Sequence, residues 1–210
     1  MSVSVVIVGV NDWDKYTRPL LEDLKDQDVE VICIDNGSNL PYPELAEIMR
    51  IDNTVSYAEA LNYGMAKAAG DWIVATNNDV RVYNKIKKRI EELDPNKLYG
   101  FYIHNDVGME YLSGWCYIIS REIYETVGDF DTNFKPMYFE DADYSIRCVK
   151  AGFELSCLDR KEWGIIHDPD RGSERSNIKH NNMVVHKRNL NYLAHKHGFR
   201  LGNNMRVTHD

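Results

Sequence analysis

Three groups of side chains in this sequence could do chemistry by their types and spacing. Asn77-Asn78-Asp79 sets three oxygen-bearing side chains directly behind an apolar run, residues 72–76. One carboxylate at a strand end can ligate a hard cation, with substrate phosphates completing the shell as they do for Mg²⁺. The same residue types also make ordinary turns. Glu140-Asp141 with Asp143 follows the aromatics Phe130, Phe134, Tyr138 and Phe139. At a helix start such carboxylates satisfy the macrodipole. Adjacent ones also point different ways, so one could face a cleft as general base while its neighbour orients an acceptor hydroxyl. His167, behind Gly164-Ile165-Ile166, could ligate a metal or serve the structure. Walker A, G-x-G-x-x-G, G-x-S-x-G and H-E-x-x-H patterns are all missing, which removes several other chemistries.

The first hundred residues alternate in the manner of an α/β domain. Residues 3–8 and 29–34 are β-rich runs suited to strands buried on both faces, and residues 72–76 make a third. Pro19 can open a helix over 20–26, and a short helix is expected around 43–49. Ser56-Tyr57-Ala58-Glu59 is a capping box for a helix reaching Ala69, with Gly70 as its stop. Strand, polar turn and helix in succession predict a mainly parallel central sheet flanked by helices. In such sheets ligands bind beyond the carboxyl ends of the strands, where Asn11/Asp12, Asp35/Asn36 and Asn77–Asp79 all fall. Further on, strands are expected at 98–104, 116–120 and 154–158. Helices are expected at 121–127, 141–151 and 181–197, and a turn at His167-Asp168-Pro169.

The chain of 210 residues is 43% hydrophobic and 28% charged, enough for one domain with a sizeable core. Its four cysteines (Cys33, Cys116, Cys148, Cys157) form no C-x-x-C pair, which argues against a zinc ribbon, a redox dithiol or a disulfide scaffold. No apolar run approaches the ~18 residues of a membrane span. The N-terminus has no basic leader, so a reducing cytoplasm is the expected compartment. Net charge is −8, but residues 171–210 hold 8 Lys/Arg against 2 Asp/Glu and five of the seven histidines. That basic segment suggests either an anion site or a solvated helix face, and a peripheral position at a membrane is the variant it allows. The acidic remainder disfavours broad binding of DNA.

These residues resemble the family 2 glycosyltransferases of GT-A (Rossmann-like) fold, particularly rhamnosyltransferase-like members, nearly end to end. Val5-Val6-Ile7-Val8 with Asn11 is similar to the family's opening strand, and Ile34-Asp35-Asn36-Gly37-Ser38 to its D-[ND]-x-S turn. Asn62-Tyr63-Gly64 is similar to the N-x-G helix motif, and Asn77-Asn78-Asp79 occupies the D-x-D position. Ser113-Gly114-Trp115-Cys116, Gly128-Asp129-Phe130-Asp131 and Phe139-Glu140-Asp141-Ala142-Asp143 resemble the acceptor-side segments.

The resemblance implies an inverting glycosyltransferase that moves one sugar from a nucleotide-diphosphate sugar to an acceptor hydroxyl. It implies Mn²⁺ or Mg²⁺ at Asp79 and His167, and a UDP-, dTDP- or GDP-linked donor near Val8, Asn11, Asp35, Asn36, Asn62, Asn77 and Asn78. Asp141 would be the base, with Glu140 the lesser candidate. Gly114, Trp115, Tyr138 and Phe139 would meet the acceptor, a saccharide or glycoconjugate, while the basic tail leaves a lipid-phosphate or nucleic acid open. Charge alone suggests Arg171, Arg175 and Lys179 as a lid over the diphosphate. The expected organisation is a nucleotide-sugar half (1–100), an acceptor half (101–170) and a basic helical segment (171–210). Without the extensions of processive relatives, transfer of a single sugar is expected. A sugar nucleotidyltransferase is the first rival, disfavoured because Gly9-Val10-Asn11-Asp12-Trp13 lacks a Gly-rich basic loop. A non-catalytic nucleotide-sugar or carbohydrate-binding module is the second.

Overall fold

The opening apolar run becomes β1 (Val3–Gly9), buried along its whole length in the computed structural model. The structure describes residues 1–105, 107–167, 182–201 and 207–208. The strands that follow are β2 (Glu30–Asn36), β3 (Ile48–Ile51), β4 (Trp72–Asn77), β5 (Val80–Val82) and β6 (Lys97–Gly100). After them come β7 (Ile103–His104), β8 (Tyr111–Leu112), β9 (Cys116–Ser120), β10 (Glu154–Cys157) and β11 (Ile165–His167). The helices are α1 (Arg18–Leu24), α2 (Tyr57–Met65), α3 (Ile86–Ile90), α4 (Arg121–Val127), α5 (Glu140–Lys150), α6 (Arg160–Trp163) and α7 (Asn182–His197).

A seven-stranded sheet runs β3-β2-β1-β4-β9-β6-β10. β3, β2, β1 and β4 are mutually parallel, whereas β9 is antiparallel to both β4 and β6. This is the expected α/β architecture. Along β1, Val3, Val5 and Ile7 face Leu20, Leu24, Ile86, Ile90 and Trp163 of α1, α3 and α6. Val6 and Val8 face Leu61, Met65, Ile123 and Tyr144 of α2, α4 and α5. Helices on both faces explain why the strand needs no polar alternation, and each buried side chain contributes about 1.5–3 kcal/mol. Register sets Gly9 beside Asp35, Asp35 beside Arg50 and Val8 beside Asn77, so the polar clusters do share the carboxyl edge.

Several boundaries differ from expectation for identifiable reasons. The helix expected around 43–49 is a turn leading into β3, because the open edge of β2 recruits residues 48–51 as a strand. Helix α2 keeps its capping box but ends at Met65; the chain then leaves the helix, with Ala69 N–H bound by Glu30 and Gly70 N–H by Ser4 Oγ. A Cβ on Gly64 would lie 2.5 Å from Val6 Cγ1, so glycine there lets α2 close onto β1. Of the turn expected at His167-Asp168-Pro169, His167 ends β11, which pairs antiparallel with β5, and Asp168 and Pro169 lie outside the described residues. The expected 98–104 strand divides into β6 and β7, with β7 pairing β8.

A smaller core lies beneath α7, where Leu190 and Leu193 meet Phe134, Phe139, Ala142 and Ile146. Beside it the fully buried Asp143 receives Arg147 (2.8 Å), Lys196 (2.6 Å) and His197 (2.8 Å). Burial opposes ionisation of Asp143, but His197, Lys196 and Arg147 outweigh it and hold the carboxyl below its ordinary range. Lys196 also reaches Asp131 at 2.7 Å. The histidine at 197 thus has a structural role that composition left open.

Candidate active site

At the carboxyl edge, Asp35 organises the first corner. Its Oδ1 accepts from the Ser38 N–H, and its Oδ2 from the Tyr42 N–H and from Arg50 at 2.6 Å. Burial would raise its pKa, yet Ser38, Tyr42 and Arg50 together lower it, so the carboxylate is held ionised. Asn11, in the left-handed region at φ 54°, donates its N–H to Ser38 Oγ and accepts the Asn39 N–H at its side chain. Tyr42 donates to Asn11 O, and Thr17 and Asn78 stack hydrogen bonds behind that hydroxyl. Asn36 brackets both backbone groups of Val55. Asn78 and Asn36 therefore brace the edge from within.

The β5–β11 pairing sets His167 opposite Val80 and so beside Asp79. Asp79 Oδ1 and His167 Nε2 lie 3.3 Å apart. Nε2 is buried and forms no hydrogen bond among the described residues. The imidazole lies flat on the Trp115 ring, 4.7 Å between centroids and 3° between planes. One carboxylate oxygen and one imidazole nitrogen, aimed at one point, fit a divalent cation whose other positions fall to phosphate and water. Among the described residues no third His, Cys, Asp or Glu completes a metal-binding group.

The carboxylate pair opens α5. Tyr138 (φ 81°) and Phe139 (φ 69°) both take left-handed backbone, a strain of about 1–3 kcal/mol each for non-glycine residues. Asp141 is half-buried; its Oδ2 accepts the Gly114 N–H and its Oδ1 the Ala142 N–H. A Cβ on Gly114 would lie 2.8 Å from Asp141 Cβ, so only glycine allows that approach. Burial raises the pKa of Asp141, while the two N–H donors and His104 pull it down. Glu140 is buried more completely, its Oε2 has no hydrogen-bond partner among the described residues, and burial with the Asp141 charge pushes it up to about 8. Of the pair Asp141 ionises first, because Glu140 is buried more completely and the Asp141 charge holds its proton on.

The raised pKa has a thermodynamic consequence. A carboxyl with a folded pKa above its unfolded value stabilises the fold below the unfolded pKa, and that contribution drains away as pH rises through about 8. Glu140→Gln should therefore flatten the decline in Tm between pH 5 and 8, measured by scanning fluorimetry at ~0.15 M salt. An unchanged slope would mean that Glu140 ionises normally.

The segment Gly114-Trp115 joins the two chemistries. Gly114 N–H holds Asp141, the Trp115 ring supports His167, and Trp115 O accepts the Asn77 N–H. The Tyr57 hydroxyl donates to Gly114 O at 3.4 Å. Burial and the charges of Glu140, Asp79 and Asp141 keep that hydroxyl protonated. Tyr57 was hidden in the sequence behind its place in a capping box.

Other expected residues land elsewhere. Asn62 spends both halves of its amide on the backbone of Phe130, clamping the 128–131 loop to α2 rather than facing the edge. Trp115 and Phe139 are 8% and 5% exposed, so neither ring presents a face for a sugar to stack on; Tyr138 packs near His186. Val8 and Asn77 sit at the edge as expected. Arg171, Arg175 and Lys179 lie outside the described residues.

The geometry can be set beside known proteins. The family model for glycosyl transferase family 2 matches residues 4–148. No curated protein matches the chain. Among solved structures, a mannosyltransferase from Pyrobaculum calidifontis, with GDP-Man and Mn²⁺, is similar at 17% identity and TM-score 0.60, covering 75% of this chain and 54% of its own. GalNAc-T7 with UDP, GalNAc and Mn²⁺ is similar at 15% identity and TM-score 0.62, covering 73% and 41%. S. aureus TarS 1-349 with UDP gives 16% identity and TM-score 0.59, covering 76% and 58%. The chain thus spans about half the length of these structures.

Proposed function

The chain belongs to glycosyl transferase family 2, and on that premise we propose that it moves a sugar from a nucleotide-diphosphate sugar to an acceptor hydroxyl with inversion at C1. The observation that carries this reading is Gly114-Trp115, which supports Asp141 on one side and the Asp79–His167 pair on the other. Asp141 takes the acceptor proton as the acceptor oxygen attacks C1. The C1–oxygen bond to the diphosphate breaks, and its electron pair leaves with the nucleoside diphosphate. Glu140 stays protonated beside it and so does not repel the incoming hydroxyl's developing charge. Asp79 and His167 would hold Mn²⁺ or Mg²⁺, the imidazole favouring Mn²⁺, and the cation would neutralise charge on the departing diphosphate. Asp35, Asn11 and Arg50 form the corner where the nucleoside of a UDP-, dTDP- or GDP-sugar would lie. The solved neighbours that carry GDP-Man or UDP support this class of donor.

No helix among the described residues is long and apolar enough to cross a membrane. A cytoplasmic setting, a saccharide or glycoconjugate acceptor, and a division at about residues 100 and 170 complete the reading. The test is release of nucleoside diphosphate from a panel of UDP-, dTDP- and GDP-sugars with Mn²⁺, Mg²⁺ or EDTA, paired with thermal shift for each nucleotide. Release from one donor that EDTA abolishes is expected. Silence with no nucleotide-dependent stabilisation would defeat the assignment, and stabilisation without release from any donor, with acceptor panels supplied, would favour the non-catalytic binding module.

A further inference from the structure

We propose that Asn189, on α7 and outside residues 4–148 that match the family, is a positioning residue for the Glu140-Asp141 pair. The inference rests on the function proposed above. Asn189 is 1% exposed and directs its Nδ2 at the carbonyls of Met137 (2.8 Å), Tyr138 (3.2 Å) and Lys135 (3.4 Å). Its Oδ1 accepts Nε and Nη2 of Arg188, which can only donate, so the amide's orientation is fixed. The remaining carbonyl of this turn, Pro136 O, accepts the Tyr57 N–H. Two residues therefore hold the carbonyls of residues 135–138, with the two N–H hydrogens of Asn189 shared among three of them, at the entry to the left-handed Tyr138–Phe139 corner and the carboxylates behind it.

The arrangement has a direction. A left-handed pair of non-glycine residues persists only where its surroundings over-determine it. On the far side of the corner stands α5, whose second residue is Asp141, with Oδ2 on the Gly114 N–H at 3.1 Å. Release of the 135–138 carbonyls would let the corner relax and turn the first residues of α5. The contact of Asp141 with Gly114 would be the first to lengthen. His186, one helical turn before Leu190, packs edge-on against Phe139 at 4.6 Å and supports the same corner. Asn189 touches neither carboxylate; it acts through the turn.

The test compares Asn189→Asp, nearly isosteric but unable to donate to carbonyls, and Asn189→Ala with Leu193→Ala. Leu193 is fully buried on the same helix, and truncating it loosens α7 while leaving the Asn189 amide to hold the 135–138 turn. Exchange of the Gly114 amide, followed by NMR, is expected to quicken at least tenfold in both Asn189 variants and to change less than threefold in Leu193→Ala. Donor hydrolysis is expected to lose roughly 10–100-fold in kcat with donor KM within about twofold. Equal Gly114 exchange in all three variants, or a fall in kcat matched by Leu193→Ala at equal Tm, overturns the role. If the wild-type protein neither releases nucleoside diphosphate from any donor nor is stabilised by any nucleotide, the transferase reading falls by itself, while Gly114 exchange still decides the positioning.

Discussion

Asp141→Asn is expected to lower sugar transfer by ~10²–10⁴-fold, the range for loss of a general base. The substitution keeps the side chain's shape, and its amide oxygen can still accept one of the two N–H groups, from Gly114 or Ala142, that anchor the carboxylate. It removes the capacity to take a proton, together with the charge and one of the two anchoring hydrogen bonds. Nucleotide-dependent thermal shift and donor KM should stay near the wild-type values, because in the function proposed above Asp141 meets the acceptor and not the donor. Glu140→Gln should behave differently, since Glu140 is already protonated near neutral pH. Its transfer rate should remain within about tenfold, with the acid limb of the rate profile in place, because Glu140 is already neutral where Asp141 ionises. Comparable rates for Asp141→Asn and wild type would remove Asp141 from the chemistry.

The second large effect is expected from Asp79→Ala. With the carboxylate gone, His167 Nε2 alone remains of the pair, and one imidazole is too few for tight binding of Mn²⁺. Loss of the cation should cost about 3 kcal/mol of transition-state stabilisation, roughly 10²-fold in rate. A readout free of turnover is available: the extra stabilisation that Mn²⁺ gives in the presence of UDP or GDP should vanish in Asp79→Ala. Nucleotide alone should still stabilise, because Asp35 and Arg50 are untouched. If the Mn²⁺-dependent shift persisted in the variant, the cation would lie elsewhere.

The parallel strands were legible because burial on both faces leaves a simple mark, an unbroken β-branched run such as residues 3–8. Polar residues at the ends of those runs marked the edge of the sheet. Strand β3 left no comparable mark, since its pairing is supplied by the open edge of β2 rather than by its own pattern. His167 was legible as a residue but not as a neighbour of Asp79, because three residues of β11 decide that contact. Aromatic type also says nothing of exposure: Trp115 and Phe139 suit a sugar platform equally well as core residues, and burial makes them the latter. Asn189 carried one faint signal, a lone amide beside the apolar residues Leu190 and Leu193 on a helix.

The carboxylates of Asp131 and Asp143 lie within the family's matched segment together with Arg147, while their other partners, Lys196 and His197, lie beyond it. Recombination between relatives would thus meet a hidden seam. A chimera joined anywhere between residues 148 and 182 would pair one parent's buried anions with the other's helix, and an orphaned buried charge costs about 3–5 kcal/mol. The heritable unit is therefore the acceptor-side loop and the last helix together, so substitutions at 131, 143, 196 and 197 should drift as a linked set rather than singly.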